Sequence, residues 1–426
     1  MSKRLIGNII RSILRFFLLR SNLRPPKIET QISQVLYKAK KLKPYKADLV
    51  KFTCENSDLN VMNFFEQLPI TTKQNLKDDP SSFKSNGRSY REVRTGGSTG
   101  EPLVFFQDKF SRRAQKRNMY FGRLKWGLSF NQDRCLLLWG HAGSFAPGIK
   151  GSIQKILLNV KDFCLDRKRI SVYDLNAGKV RGIVQAINSH EPDYIQGYAS
   201  SLETLAILIR SEGLALEVKN LALIVSTAEP LLETQKKVIE EAFKCKVSNE
   251  YGCSEIGVLA YSTPNGEMET VHENIYLEVI DVFERDRSKY GEIVATTLRD
   301  SSPILLRYKT GDLARVRQEG NDLIIESIIG RNHDLIKLSD GSKIHGEFFT
   351  HVLENFDSID RFQVNQTSID EITIILKVNN SWSDTQSLLI MKNLNTVLND
   401  RAEINIIFDD FKFEASGKFR WIRSNL

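Results

Sequence analysis

The 426-residue sequence predicts an α/β fold. A large N-terminal domain of parallel αβ layers carries a small antiparallel β-barrel-like subdomain, and a small α+β C-terminal domain follows. Three observations predict this. Between residues 130 and 260, apolar runs suited to buried strands alternate with helical periodicities, and that order demands parallel pairing under crossover helices. Residues 275–329 instead give NIYLEVID, GEIVATT, LARVRQ and LIIESII, short runs separated by turns. After Gly330-Arg331, the strand-like ITIILKV and INIIF flank a helix from Ser383 to Leu398. The expected boundaries are 1–24 for an N-terminal helix, 25–330 for the large domain and 331–426 for the small one.

In KRLIGNIIRSILRFFLLR, Leu5, Ile6, Ile9, Ile10, Ile13, Phe16 and Phe17 fall on one helical face and Lys3, Arg4, Asn8, Arg11 and Arg15 on the other. A signal peptide needs an uninterrupted apolar core, which Arg11 and Arg15 break. The apolar face of residues 1–22 either lies in a membrane interface or packs on the domain behind it. Arg24-Pro25-Pro26 ends this helix, and the next runs through Ile32, Val35, Leu36 and Ala39. LPITTKQNLKDD (68–79) holds a turn, a Thr cap and a short polar helix, and VFFQD is a short strand before a basic helix reaching Gly122.

Further along, Arg134–Trp139, Asp193–Gln196, Leu221–Val225 and Lys246–Asn249 read as buried strands. Ser200 and Glu203 form an expected capping box opening a helix through Leu202, Leu205, Ala206 and Ile209. A second helix spans 231–243. Ligands of parallel sheets sit beyond the carboxyl ends of the strands, so the loops Ser226–Pro230 and Glu250–Glu255 belong near one site.

Composition narrows the class. Hydrophobic residues make up 41% and charged residues 26% of the chain, as in ordinary globular proteins. The net charge of +8 suits anionic ligands or a membrane surface and is too dispersed for nucleic acid. Five cysteines without a CxxC or Cys/His cluster read as reduced thiols in a cytoplasmic protein, either free or peripheral at the inner membrane face. No stretch is long and apolar enough to span a bilayer.

The chemistry-bearing stretch is Arg94-Thr95-Gly96-Gly97-Ser98-Thr99-Gly100-Glu101-Pro102. Its glycines let successive backbone N–H groups converge into an anion nest, and its hydroxyls add donors, so a polyphosphate is the natural guest. A flexible hairpin turn has the same composition. It is not the kinase-type P-loop, because no Gly-Lys-Ser/Thr closes it.

TGGSTGEP, STAEPLLETQKKVIEEAF, YGCSE, VHENIYLEVID, YGEIVATTL, RYKTGDLA, GRNHDLIKLSDGSKIHGEFF and ASGKFRW occur in register. In that order they resemble the adenylate-forming enzymes, and most of all phenylacetate–CoA ligase and the CapK-like proteins of polysaccharide clusters. The likeness spans residues 30–426. It implies a mobile C-terminal domain and a two-step reaction: a small-molecule carboxylic acid attacks the α-phosphorus of ATP, and a thiol, usually that of coenzyme A, then displaces AMP.

The same resemblance implies residue roles. Thr95, Gly96, Gly97, Ser98, Thr99 and Gly100 hold the β- and γ-phosphates, Thr99 among the catalytic groups. Glu255 is the Mg²⁺ carboxylate. Tyr251, preceding Gly252, stacks on adenine, and Ser254 sits near the α-phosphate. Glu229 frames the adenine edge, largely through backbone. Asp312, in a Thr-Gly-Asp turn, accepts from the ribose hydroxyls, and Arg331 reaches ribose or phosphate. Lys418 is the mobile lysine between the carboxylate and the α-phosphate. Trp139, His141 and Phe145 fall in the acyl pocket. Gly341 lines the pantetheine path. His333 departs from the family's usual linker Asp, which points to a hinge set differently.

Two other readings stand beside the CoA ligase. One keeps adenylation but passes the acyl group to a carrier protein or to an amine or hydroxyl of a sugar in polysaccharide biosynthesis. The other is an inactive scaffold held at the membrane by residues 1–22.

Overall fold

The computed structural model describes residues 27–50, 52, 60–85, 88–94, 103–128, 134–140, 149–271, 273–285, 288–299, 302–319, 322–331, 335–340, 343–353, 355–399, 401–409, 411, 413, 418–424 and 426. The helix expected over 1–24, the loop Thr95–Gly100, His141, Phe145, His333 and Gly341 lie outside the described residues. The chain divides into two units, Met1–Thr310 with Ala314–Ile328 and Gly311–Leu313 with Ile329–Leu426.

The first unit begins with helices α1 (Ile28–Ala39), α2 (Val61–Glu66) and α3 (Lys73–Asp78). Helix α1 buries Ile32, Val35, Leu36 and Ala39, the face expected from its spacing. The Thr72 hydroxyl accepts from Asn75 N at 3.2 Å and caps α3. Strands β1 (Arg91–Arg94) and β2 (Val104–Gln107) form an antiparallel hairpin ending at the pair Arg94–Val104. Asp108 then caps helix α4 (Lys109–Lys125), its Oδ1 accepting from Ser111 N at 2.7 Å.

Next come β3 (Cys135–Trp139), α5 (Ile149–Cys164), β4 (Arg167–Ser171), α6 (Ala177–His190), β5 (Tyr194–Gly197), α7 (Ala199–Ser211), β6 (Leu223–Thr227), α8 (Glu233–Phe243), β7 (Val247–Cys253), β8 (Gly257–Ser262) and β9 (Met268–Thr270). The strands form one seven-stranded sheet in the order β4-β3-β5-β6-β7-β8-β9. The first five pair in parallel and the last two are added antiparallel. Alternation along each strand explains its two faces. Leu136, Leu138, Ile195, Ile224 and Val247 pack with α6, α7 and α8, while Cys135, Leu137, Tyr194, Leu223 and Val225 pack with Leu128 on the other side.

The remaining strands of this region are β10 (Ile275–Arg285), β11 (Ser288–Thr297), β12 (Tyr308–Glu319) and β13 (Asp322–Arg331), a four-stranded sheet in sequence order. Its apolar side joins α1–α3 in one core through Leu36, Phe65, Leu76, Ile293, Ala295 and Ala314.

The second unit holds β14 (Leu335–Lys337), β15 (Lys343–His345), α9 (Glu347–Leu353), β16 (Ile359–Ser368), β17 (Glu371–Val378), α10 (Asp384–Leu398), β18 (Glu403–Ile407) and β19 (Ile422–Ser424). Its four-stranded sheet has the order β18-β17-β16-β19. Helix α10 buries Ile390, Leu394 and Leu398. The buried Gln366 side chain joins β16 to β14, donating to Lys337 O at 2.6 Å and accepting from Lys337 N at 3.0 Å.

One expectation fails. Ser200 and Glu203 form no capping box: the N-cap of α7 is Tyr198, which makes no side-chain cap bond. Both residues lie inside the helix and are buried, and Glu203 Oε2 accepts instead from Gln235 Nε2 of α8 at 3.0 Å. Tertiary partners displaced the local motif.

Candidate active site

The turn Tyr251–Glu255 is built by the hairpin of β7 and β8. Gly252 is required there, because a Cβ at that position would meet the Gly257 carbonyl oxygen at 2.3 Å. The close approach of the two strands leaves no room for a side chain, and the register shifts between Tyr251 and Gly252. Glu255 is carried into a buried position, where its Oε1 accepts from the Tyr308 hydroxyl at 3.0 Å. The Tyr251 hydroxyl bonds Thr310 Oγ1 at 3.2 Å, and Thr310 Oγ1 donates to Ile293 O at 3.0 Å. Both side chains of the turn are therefore held by the start of β12.

The hairpin that carries Thr95–Gly100 approaches the same turn. Gln107, at the end of β2, donates through Nε2 to the Ser254 carbonyl at 3.4 Å. Strand β2 and the Tyr251–Glu255 turn, 147 positions apart at this bond, thus meet in space.

Glu229 lies in the loop after β6, following Ala228 at φ 69°. Its buried Oε2 accepts from Ser200 N at 2.9 Å, so a carboxylate from the loop after β6 satisfies one N–H in the first turn of α7. Thr227 Oγ1 donates to Glu250 O at 3.0 Å and ties the Ser226–Pro230 loop to the Glu250–Glu255 stretch. The two loops are neighbours, as the parallel order of β6 and β7 requires.

Asp312 is in a strand, not a turn. It lies within β12, and the motif's glycine accounts for the misreading: Gly311 adopts φ 82° without ending the strand. Arg331 is the last residue of β13. Trp139 is half-buried at the end of β3, its ring 4.5 Å from that of Tyr198 and tilted by 43°. Lys418 is half-buried in the second unit, beside Phe419. Phe419 is buried against Phe411, Phe413 and Trp421 and pairs with Phe413 in a short bridge.

Sequence reasoning missed Tyr308, Gln107 and a buried polar chain behind the turn. Arg123 donates to the Tyr194 hydroxyl at 2.7 Å and to Gln196 Oε1 at 3.2 Å, and Gln196 Nε2 donates to Glu250 Oε1 at 3.3 Å. Burial pushes the Glu250 carboxyl up, against the pull of Arg123 and Thr227. Only an unusual spacing of polar residues within strand-like runs, Gln196 and Glu250, could have signalled it.

A narrow crevice lined by Ser111, Asn118, Glu255, Asn274 and Arg299 has a volume of about 10 Å³. That is close to the space of one water and far below that of a nucleotide. Among the described residues no group of three His, Cys, Asp or Glu side chains is placed to hold a metal. A single buried carboxylate such as Glu255 still suits Mg²⁺, which binds through one or two carboxylates together with substrate phosphates.

Comparison with known proteins adds to this geometry. Residues 336–425 match the CapK C-terminal domain family. Protein CapK of Staphylococcus aureus is 24% identical over 382 residues, covering 88% of this chain and 81% of that protein. The phenylacetate–coenzyme A ligase of Thermus thermophilus is 30% identical over 179 residues, 39% of this chain and 40% of the enzyme. Residues 336–425 belong to the CapK C-terminal domain family, and the chain as a whole is similar to adenylate-forming enzymes of the CapK and phenylacetate–coenzyme A ligase kind.

The fold is shared with a solved structure. The crystal structure of 2-hydroxyisobutyryl-CoA ligase in the postadenylation state superposes with a TM-score of 0.69 at 18% identity, over 93% of this chain and 89% of that one. In this chain the turn Tyr251–Glu255 and strand β2 are neighbours. No helix among the described residues is long and apolar enough to cross a membrane.

Proposed function

We propose that the chain is an AMP-forming acid–thiol ligase. A carboxylate oxygen attacks the α-phosphorus of ATP, the bond to the β-phosphate bridging oxygen breaks, and an acyl-adenylate and pyrophosphate result. A thiolate, in this reading that of coenzyme A, then attacks the acyl carbon and AMP leaves. The observation that supports this best is the buried Glu255 carboxylate, fixed by Tyr308 beside the strand that leaves the Thr95–Gly100 hairpin.

In this reading the backbone and hydroxyl donors of Thr95–Gly100, Thr99 among them, hold the phosphates. Tyr251, fixed through its hydroxyl, offers its ring to adenine above Gly252. Ser254 lies towards the α-phosphate and Glu229 along the adenine edge. Asp312 accepts from the ribose, and Arg331 reaches ribose or phosphate. Lys418 sets its ammonium between carboxylate and α-phosphate and offsets their repulsion. Trp139, His141 and Phe145 enclose the acyl group. When bound at Glu255, Mg²⁺ would neutralise phosphate charge. The place of action is the cytoplasm, with residues 1–22 at the inner face of the membrane.

A second reading moves the acyl group to a carrier protein or to a sugar amine or hydroxyl. It is favoured by one observation: the likeness to Protein CapK extends over most of both chains, whereas that to the Thermus thermophilus ligase covers less than half of each. The test is ATP–pyrophosphate exchange across aryl, short acyl and amino acids, followed by thiol consumption with coenzyme A. Exchange with one acid class and loss of free thiol support the ligase. Exchange without thiol loss points to the other acceptors, and no exchange with any acid returns the chain to the inactive scaffold.

A further inference from the structure

Helix α5 carries its apolar side outward. Ile153, Ile156, Leu157, Val160 and Phe163 recur at helical spacing along one stripe, and each is between 50% and 62% exposed. The side facing the domain holds half-buried Leu158 and buried Asp162. Asp162 is engaged by Arg169 of β4, whose Nη2 donates to Oδ1 at 3.0 Å. Surface helices ordinarily turn the apolar stripe to the core and the polar side to water. A contiguous exposed stripe of large side chains marks an interaction surface.

Its surroundings are cationic. Strand β4 is the edge of the seven-stranded sheet; Arg167 and Arg169 share the face beside α5, where Arg169 pairs with Asp162, while Lys168 on the other face donates to Ala186 O at 3.3 Å. Burial and the neighbouring Arg167, Lys116 and Arg169 hold the Lys161 ammonium below its ordinary range, with Asp162 opposing them. Arg167 Nε is buried without a hydrogen-bond partner among the described residues. Basic residues on an edge strand also guard against strand pairing, which accounts for β4 but leaves the outward stripe of α5 unexplained.

Three occupants could cover an apolar stripe with a basic rim, and one of them, residues 1–22, would bring the like charges of Arg11 and Arg15. A second copy docked about a two-fold axis would set the same cations against one another. An anionic bilayer takes the stripe into its acyl boundary and the cations among its headgroups. We propose that helix α5 and edge strand β4 form a docking surface for an anionic lipid membrane. This surface is built from residues of α5 and β4 and does not rest on the ligase reading.

The test is sedimentation of the full chain with vesicles of phosphatidylcholine containing phosphatidylglycerol, against vesicles of phosphatidylcholine alone. The full chain should sediment with the anionic vesicles and less so at high salt. Ile156→Gln/Leu157→Gln/Val160→Gln should lower the bound-to-free ratio by about tenfold or more, with an unchanged circular dichroism spectrum. Lys116→Gln/Lys161→Gln should lower it severalfold, at low salt only. Should the triple variant misfold, the single exposed change Leu157→Gln carries the same comparison. Equal sedimentation of variant and parent overturns the proposal. So does a dimer in analytical ultracentrifugation that the triple variant splits while vesicle binding is absent, which would assign the stripe to a second copy.

Discussion

The Tyr308 hydroxyl donates to Oε1 of Glu255 at 3.0 Å, joining the first residue of β12 to the turn after β7. The bond fixes a buried carboxylate in one rotamer. It also separates two contributions that substitution can measure. Glu255→Gln keeps an acceptor for Tyr308 and removes only the charge. Pyrophosphate exchange should then fall on the order of a thousandfold, with a normal thermal melt. Tyr308→Phe keeps the charge and loses its positioning, for a smaller loss of about tenfold, the scale of one hydrogen bond to a charged group. Normal exchange in Glu255→Gln would remove Glu255 from the site.

Lys418 separates the half-reactions. Its ammonium is needed when carboxylate and α-phosphate meet, and not when a thiol attacks a finished adenylate. Lys418→Ala should lose adenylation by about a hundredfold or more. It should still transfer acyl groups from supplied acyl-adenylate. Equal loss of both half-reactions would make Lys418 structural, as its place beside the buried Phe419 also permits.

The Glu229 carboxylate at the start of α7 is a stability element. Glu229→Ala leaves the Ser200 N–H without its acceptor and should cost about 1–2 kcal/mol in urea unfolding. Glu229→Gln retains an acceptor and should cost less. A parent-like urea midpoint in the alanine variant would show that the cap contributes nothing.

Glu250 gives a pH dependence. Its folded pKa is raised by burial from the ordinary 4.5, so folding favours the protonated carboxyl. Its contribution to stability is fully present below the unfolded value and is lost as pH rises through the folded one. The stability of the parent, minus that of Glu250→Gln, should therefore fall as pH rises from about 4 towards 7. Urea midpoints at several pH values measure it, and a difference independent of pH would show that Glu250 does not titrate in that window.

The chain's own order of residues determined the parallel strands β3, β5, β6 and β7, because buried apolar runs alternating with helical spacing allow only crossover pairing. It also determined the cap at Thr72, the helices α1, α8 and α10, and the nearness of the two loops that leave β6 and β7. Those signals are local: a period, a cap, a glycine. Helices α5 and α6 and the strand β4 between them were not among the elements expected.

Tertiary structure decided the rest. Ser200 and Glu203 carry the local pattern of a capping box, yet Glu229 and Gln235 take their place, because a buried helix start meets partners from other loops before it meets its own side chains. The Thr-Gly-Asp stretch reads as a turn, yet β12 runs through it, since strand pairing stabilises a glycine at positive φ. Tyr308 bears no mark in the sequence that links it to Glu255, and Gln107 none that links it to Ser254. Such contacts join residues 53 and 147 positions apart. No periodicity or propensity records them, because the free energy that selects them is that of burial and hydrogen bonding in the assembled sheet.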